Sequence, residues 1–391
     1  MAPFPLCYLF SSCDTDIRRT LTPRLLPSES QIKTQWHSPS DILSLLLILG
    51  PEVVQRALAQ LVGTYYVPIG FSFGWVAYSF NALLAIAGGK VDTRSPQSLL
   101  TYEDGQLMPE ADCQALVVTA QSGHYRINKA WIIGRLLRDF EKRAAPFASS
   151  KASDEWEALR VSVFEWDERR EQRKPIRDWV WCSGLAVVVL QIAISAVPLA
   201  LWSEWATLAL VTGGILLASA QAGLPQWKAE KWACPSGGKT ISITRGNGHR
   251  HVMVLLGSPT ALNLEILASG ACSKEQSLSG KAAVAILAAL WIVLLITVAG
   301  LKQGSWFLVA IGTIGMIQNI VVAASPRSSS AFGLHLKHIN TIKARKVSKA
   351  LMITEEVYPG VGASLFPIFN PGGFSVPDNE VEFWRSIRSG S

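Results

Sequence analysis

The sequence predicts an α-helical integral membrane bundle of about six transmembrane helices in three hairpins, carrying a small cytosolic α+β domain. Three observations predict it. Apolar runs free of charged side chains occupy residues 57–89, 181–201, 206–224, 282–301 and 306–324, and about 20 helical residues match a ~30 Å hydrocarbon core. Two pairs of these runs are joined by short links, Trp202-Ser203-Glu204-Trp205 and Lys302-Gln303-Gly304-Ser305, so each pair must fold back as a helical hairpin. Basic residues crowd the membrane ends of the long hydrophilic segments: Lys90, Arg94, Arg169, Arg170, Arg173, Lys174, Arg177, Lys228, Lys231, Lys281 and Arg327. The opposite links hold only Glu204 and Lys302, so the positive-inside rule makes the long segments cytosolic.

Composition agrees. A mean hydropathy of +0.26 with 49% hydrophobic residues leaves room for a sizeable water-exposed part. Of 14 Trp, several flank the runs as interfacial anchors do: Trp179, Trp181, Trp202, Trp205, Trp227, Trp232 and Trp306. The net charge of +7 reads as a topology signal. A nucleic-acid partner would need a basic face with interleaved aromatics on a soluble fold, and none is expected. Six Cys lie scattered without C-x-x-C spacing, which argues against a zinc knuckle, a redox pair or a disulfide framework and for reduced thiols. There is no Asn-x-Ser/Thr sequon. The expected location is an endoplasmic reticulum or other endomembrane, or the plasma membrane.

Taken in order, residues 1–37 form a disordered extension: Pro3 and Pro5 break the apolar start, and no basic region or cleavage site marks a signal peptide. Residues 38–89 hold the first hairpin, helix 42–61 capped by Ser38 or Ser40 and its partner 67–88. That first helix carries Pro51, Glu52 and Arg56, and a charge at the bilayer centre costs ~2.5–3.5 kcal/mol. Glu52 and Arg56, four apart, can neutralise each other. The alternative is a re-entrant or interfacial helix, leaving five spans.

Residues 90–178 and 226–281 share one α+β domain. Strand character marks 115–120, 159–166, 239–245 and 249–256, with alternation clearest in Leu159-Arg160-Val161-Ser162-Val163 and Thr240-Ile241-Ser242-Ile243-Thr244. Gly246-Asn247-Gly248 makes a hairpin turn between the last two, because Gly and Asn accept positive φ. A helix over about 128–142 spaces Trp131, Ile132, Leu136, Leu137 and Phe140 to bury one face. Residues 179–225 and 282–325 are the second and third hairpins. In 326–391, residues 332–353 mix Leu334, Leu336, Ile339, Ile342 and Leu351 with Lys337, Lys343, Arg345, Lys346 and Lys349. That pattern suggests an amphipathic helix on the anionic leaflet or packed on the domain, followed by a loop-rich tail.

Six blocks carry a resemblance: residues 53–61 (Val53-Val54-Gln55-Arg56-Ala57-Leu58-Ala59-Gln60-Leu61), 71–78 (Phe71-Ser72-Phe73-Gly74-Trp75-Val76-Ala77-Tyr78), Gly134-Arg135-Leu136-Leu137-Arg138-Asp139-Phe140, Arg177-Asp178-Trp179-Val180-Trp181, Lys231-Trp232-Ala233-Cys234 and Thr244-Arg245-Gly246-Asn247-Gly248. As an ordered set over roughly residues 38–385, the chain resembles a family of uncharacterised multi-pass membrane proteins of filamentous fungi. The resemblance implies a fungal endomembrane or plasma-membrane location and, more loosely, a place among the accessories of secondary-metabolite pathways. It implies no activity.

Candidate chemistry is sparse. Glu52 and Arg56, with Gln55 and Gln60 nearby, form the ionisable cluster inside an apolar run; they are the catalytic candidates, set against a self-neutralised pair at a helix end. Residues 233–240 nearly spell a P-loop, but Ala233 replaces the first Gly and a strand follows where phosphate needs a helix N-terminus. His249 and His251 share one side of a predicted strand, and Cys234 or His124 would have to join them around a metal; no third ligand has convincing spacing. Gly70-Phe71-Ser72-Phe73-Gly74 spells a nucleophile elbow but lies inside a membrane run. Arg135, Arg138, Asp139 and the basic run 169–177 read as lipid- or partner-binding groups or as solvated faces. Gly70-x-x-x-Gly74 and Ala218-x-x-x-Ala222 allow close helix packing, and Gln191, Asn81, Gln318 and Asn319 supply interhelical hydrogen bonds.

The sequence therefore predicts a non-catalytic accessory, scaffold or sensing protein with no cofactor and no bound metal, whose partners are the lipid bilayer and a membrane or cytosolic protein. The alternatives are a membrane-embedded, cyclase-like enzyme handling a hydrophobic small molecule with Glu52 as acid, and a small-solute or proton-coupled transporter with a polar path near Glu52, Arg56, Gln318 and Asn319.

Overall fold

The computed structural model describes residues 50–87, 107–147, 156–270, 277–300, 305–371 and 378–389. The chain order is α1 (Pro51–Leu61), α2 (Gly74–Ala87), β1 (Leu116–Thr119), β2 (Tyr125–Ile127), α3 (Trp131–Arg143), β3 (Leu159–Trp166), α4 (Trp179–Trp202), α5 (Ala206–Ala222), α6 (Pro225–Lys231), β4 (Ser236–Gly238), β5 (Ile241–Thr244), β6 (His251–Leu255), β7 (Ser258–Leu262) and α7 (Leu264–Ser269). After these come α8 (Leu278–Ala299), α9 (Ser305–Ala324), β8 (Leu336–Ala344), α10 (Val347–Val357), α11 (Val361–Phe369) and α12 (Asp378–Ser389).

Among the described residues, three helices are long and apolar enough to cross a membrane: α4, α8 and α9. The pair α5 and α6, bent by 42° at residues 223–224, makes a fourth if taken as one broken span. Asp178 starts α4 by accepting the Trp181 N–H at 3.1 Å, an N-cap that satisfies an otherwise orphaned donor. Ser203 ends it in a left-handed conformation (φ 57°), and the chain turns at once into α5.

Of the expected first hairpin, the described residues show two short helices joined by a non-helical stretch. Residues 42–49 of its first helix, like the extension 1–37, lie outside the described residues. α1 starts at Pro51, whose missing N–H suits the first helical position, and runs for 11 residues only. The predicted partner 67–88 is helical from Gly74 onward; residues 67–73 are neither helix nor strand and are buried, with Ile69, Phe71 and Ser72 at 3% exposure or less. This irregular stretch runs between α4 and α9. Its carbonyls pass so close that a Cβ at Gly184 would collide with Pro68 O and one at Gly315 with Phe71 O.

Gln191 holds the middle of the stretch. Its Oε1 accepts the Phe71 N–H at 2.9 Å, and its Nε2 donates to Phe71 O at 2.8 Å and to Ile311 O at 2.9 Å. Trp75 Nε1 donates to Gly70 O, and Asn319 Nδ2 to Ser72 Oγ. Gln191 lies twelve residues into a 24-residue helix, about 18 Å along it, so irregular backbone sits near mid-depth of the bundle, with both polar backbone groups of Phe71 partnered. There Gly50, at the start of α1, packs against Met316, and Gly74, at the start of α2, against Gly50 O. Two half-helices thus have their N-termini together deep in the bundle.

Strands from three separate parts of the chain make one six-stranded sheet, ordered β2-β1-β5-β6-β3-β8 and antiparallel except for β3 with β6. The period of two along each strand sends alternate side chains to opposite faces. Val117, Ile243, Met253, Leu255 and Trp166 join the core shared with α3 and the bundle. Val118, Leu159, Val161, Val163, Val252 and Val254 face α10, α11 and α12. The predicted helix over 332–353 is corrected: a short 3₁₀ turn, Ser329–Phe332, precedes edge strand β8, and the first helix after it is α10. β8 turns Ile342 into the core and exposes Lys337 and Lys343 beside its β3 partners, so this segment belongs to the sheet.

Candidate functional site at the bundle–sheet junction

The densest buried chemistry lies where helix ends meet the sheet. α3 turns Arg135 and Asp139 inward at about 1% exposure or less. Arg135 donates to Asp139 Oδ2 at 3.2 Å, to Asp112 Oδ2 at 2.8 Å and to Ser325 O, just past α9, at 2.8 Å. Burial pulls the Arg135 guanidinium below its ordinary pKa, while the hydrogen bond to Asp112 opposes that. Arg138 donates to both aspartates and to Ala324 O. Asp139 Oδ2 also accepts the Arg327 N–H at 2.9 Å.

Arg327 forks onto Asp178, Nε to Oδ2 at 2.7 Å and Nη2 to Oδ1 at 2.8 Å, and its Nη1 donates to Gln60 O. Lys231, fully buried, donates through Nζ to Ala59 O at 2.9 Å and Val62 O at 2.7 Å. The ammonium lies 5.4 Å from the Trp232 ring centroid and 5.9 Å from that of Phe332.

The arrangement follows from helix electrostatics. The last carbonyls of α1 and α9 lack intrahelical donors, and each C-terminus carries about half a negative charge. Arg135, Arg138 and Arg327 pair with Asp112, Asp139 and Asp178 and, together with the Lys231 amine, donate to these carbonyls. The cluster is a lock that ties the ends of α1, α4, α6 and α9 to α3, which packs against the sheet. Its carboxylates accept from arginines or backbone, with one oxygen, Asp112 Oδ1, left unpartnered.

The predicted site residues lie elsewhere. Glu52 and Arg56 are 4.0 Å apart on the outer face of α1, with side chains 81% and 52% exposed. Gln55 and Gln60 do not join them: Gln55 donates to Leu107 O and Gln60 to Ser325 O. Among the described residues no group of three or more His, Cys, Asp or Glu could hold a metal ion. His249 sits in the turn before β6, and the His251 ring packs against Phe140 and Phe147. Cys113 and Cys182 form no disulfide. Residues 236–238 form β4, paired to β7, and lead into β5 with no helix to receive a phosphate. Ser72 is buried against Asn319.

Sequence reasoning missed the grouping of Lys231, Arg327 and Asp178, reading the first two as topology signals. The available signal was Asp178 directly before an apolar run, a cap with capacity to spare. The chain matches no family model, no curated protein and no solved structure.

Proposed function

We propose that the chain is a multi-pass membrane protein that acts as a non-catalytic accessory or scaffold, holding a sheet domain rigidly at one face of the bilayer. The observation that carries this is the lock: the buried charges at the junction cap helix ends and fasten the domain to the bundle. In this reading α4, the broken span α5–α6, α8 and α9 cross, and α1 with α2 forms a re-entrant element. Exposed Trp179 at one end of α4, and Trp202 and Trp205 at the other, support it: Trp179 and Trp202 lie 23 residues apart, about 35 Å, as two interfacial belts would. The sheet domain faces the cytosol, by the charge asymmetry of the links. Kinship with the fungal family, and a role beside a secondary-metabolite pathway, rest on the resembling blocks alone.

The test is single-cysteine labelling at Ser203 and Ser236 in intact membranes with an impermeant thiol reagent. Labelling from opposite sides is expected. Labelling of both from one side would end the proposal.

A transporter is the second reading, favoured by the meeting of two half-helix N-termini at mid-depth, a feature of solute sites in discontinuous-helix transporters. It predicts that Asn319→Ala, at the buried stretch where Asn319 donates to Ser72 Oγ, abolishes solute or proton flux in reconstituted vesicles. Flux unaffected by that change would end this reading.

A further inference from the structure

Between β3 and α4, residues 167–178 carry Arg169, Arg170, Arg173, Lys174 and Arg177. A charge run that only marks topology needs no fixed shape, yet this one is held along its length. The Arg173 N–H donates to Gly333 O at 2.8 Å and the Ile176 N–H to Ser330 O at 3.0 Å. Gln172 Oε1 accepts the His335 N–H at 2.9 Å, and His335 Nε2 lies 2.9 Å from Lys174 O. Arg173 adopts a left-handed φ of 68°, a conformation that persists only where its surroundings impose it.

The pinned loop presents Lys174 and Arg177 outward, both exposed, with two apolar side chains beside Arg177: Ile176 at 38% and Trp179 at 59% exposure. Lys174 pairs with Glu171 at 2.6 Å, but both side chains are about 70% exposed, so the pair is weak and readily exchanged. Among the described residues Arg177 has no carboxylate in ion-pair reach; its guanidinium lies over the Trp181 ring at 4.6 Å. Asp178, the nearest acid in sequence, is held by Arg327. A guanidinium and an ammonium three residues apart, flanked by an isoleucine and a tryptophan at the first turn of an apolar helix, match a phosphate bearing acyl chains.

We propose that residues 174–179 bind the headgroup of an anionic phospholipid, with phosphate on Lys174 and Arg177 and the lipid chains along Ile176 and Trp179. This rests on the reading that α4 crosses the bilayer. Anionic lipid would then stabilise the junction directly, because the loop ends in the Asp178–Arg327 pair.

The experiment uses the full chain in nanodiscs of phosphatidylcholine alone or of phosphatidylcholine mixed with phosphatidylserine, reading thermal unfolding. Wild type should melt several degrees higher in the mixed discs. The Lys174→Gln/Arg177→Gln variant should lose that shift, whereas Arg169→Gln/Arg170→Gln should keep it. Equal melting in both discs overturns the proposal, as does a shift that survives Lys174→Gln/Arg177→Gln. A shift reproduced by inorganic phosphate in phosphatidylcholine discs also overturns it, since the ligand would then be the free ion. Failure to enter discs of either composition refutes the membrane reading itself, a result distinct from these.

Discussion

Gln191 and Phe71 are joined at both polar atoms of one residue: the carboxamide of Gln191 accepts the Phe71 N–H at 2.9 Å and donates to the Phe71 carbonyl at 2.8 Å. One side chain thereby satisfies both backbone groups of a single residue that lies outside any helix or strand. Gln191→Leu keeps the volume and strips both partners. Each buried group left unsatisfied costs about 1–3 kcal/mol, so the variant should lose about 2–6 kcal/mol, read as a lowered melting temperature in detergent. Unchanged melting would mean that the irregular stretch does not lie against α4.

The same stretch makes Gly315 irreplaceable. Gly315→Ala drives a methyl group into Phe71 O, and overpacking of this kind costs about 1–3 kcal/mol. The control is Gly213→Ala, whose Cβ would meet Leu294 at an ordinary 3.6 Å. That change should be neutral or slightly stabilising, since Ala is the better helix former. Expression yield and melting temperature of the pair separate close approach from generic helix effects.

Arg327 spans the junction. With its side chain 2% exposed, Arg327→Met strands Asp178 and leaves Gln60 O without its donor, and breaking a buried pair costs about 3–5 kcal/mol. Arg327→Lys should rescue little, because an ammonium cannot reproduce the two-point fork onto a carboxylate. The expected readout is faster limited proteolysis between sheet domain and bundle.

His251 gives the fold an acid limit. Burial first, then the nearby Arg160, lowers its pKa to about 4, against an unfolded value near 6.5. At this group the folded state therefore binds fewer protons than the unfolded chain between those values, so the His251 contribution to stability is full above about pH 6.5 and falls as pH drops toward 4. Glu157, lowered by its hydrogen bonds to Arg160 and Lys343 despite an opposing and larger desolvation effect, adds a loss only below the ordinary carboxylate range. His251→Phe should flatten the melting-temperature profile between pH 6.5 and 4.5 while leaving the steeper fall below it. A slope unchanged by the substitution would assign the effect elsewhere.

Parts of this architecture are legible in the sequence for physical reasons. β3 spans the predicted residues 159–166, and β5 and β6 lie within their predicted stretches, because alternation and a Gly-Asn-Gly turn are local signals. β8 was not, because Leu336, Ile339 and Ile342 recur every three residues and imitate a helical stripe, while its lysines guard an open sheet edge. Residues 67–73 read as helix because an unbroken apolar run looks the same helical or irregular; Pro68 and Gly70 were the only local hints. Of the site, the sequence marks Arg135, Arg138 and Asp139, but their partners Asp112 and Arg327 come from other segments that only the fold brings together.

The strand order dictates a sequence of events during synthesis. β3 sits between β6 and β8, yet β6 leaves the ribosome only after α4, α5 and α6, and β8 only after α8 and α9. Until the last apolar helix has been made, β3 has an unpaired edge and one face of the sheet lacks its C-terminal cover. The domain is completed after the bundle, so a nascent chain truncated before residue 336 should be a client for chaperones.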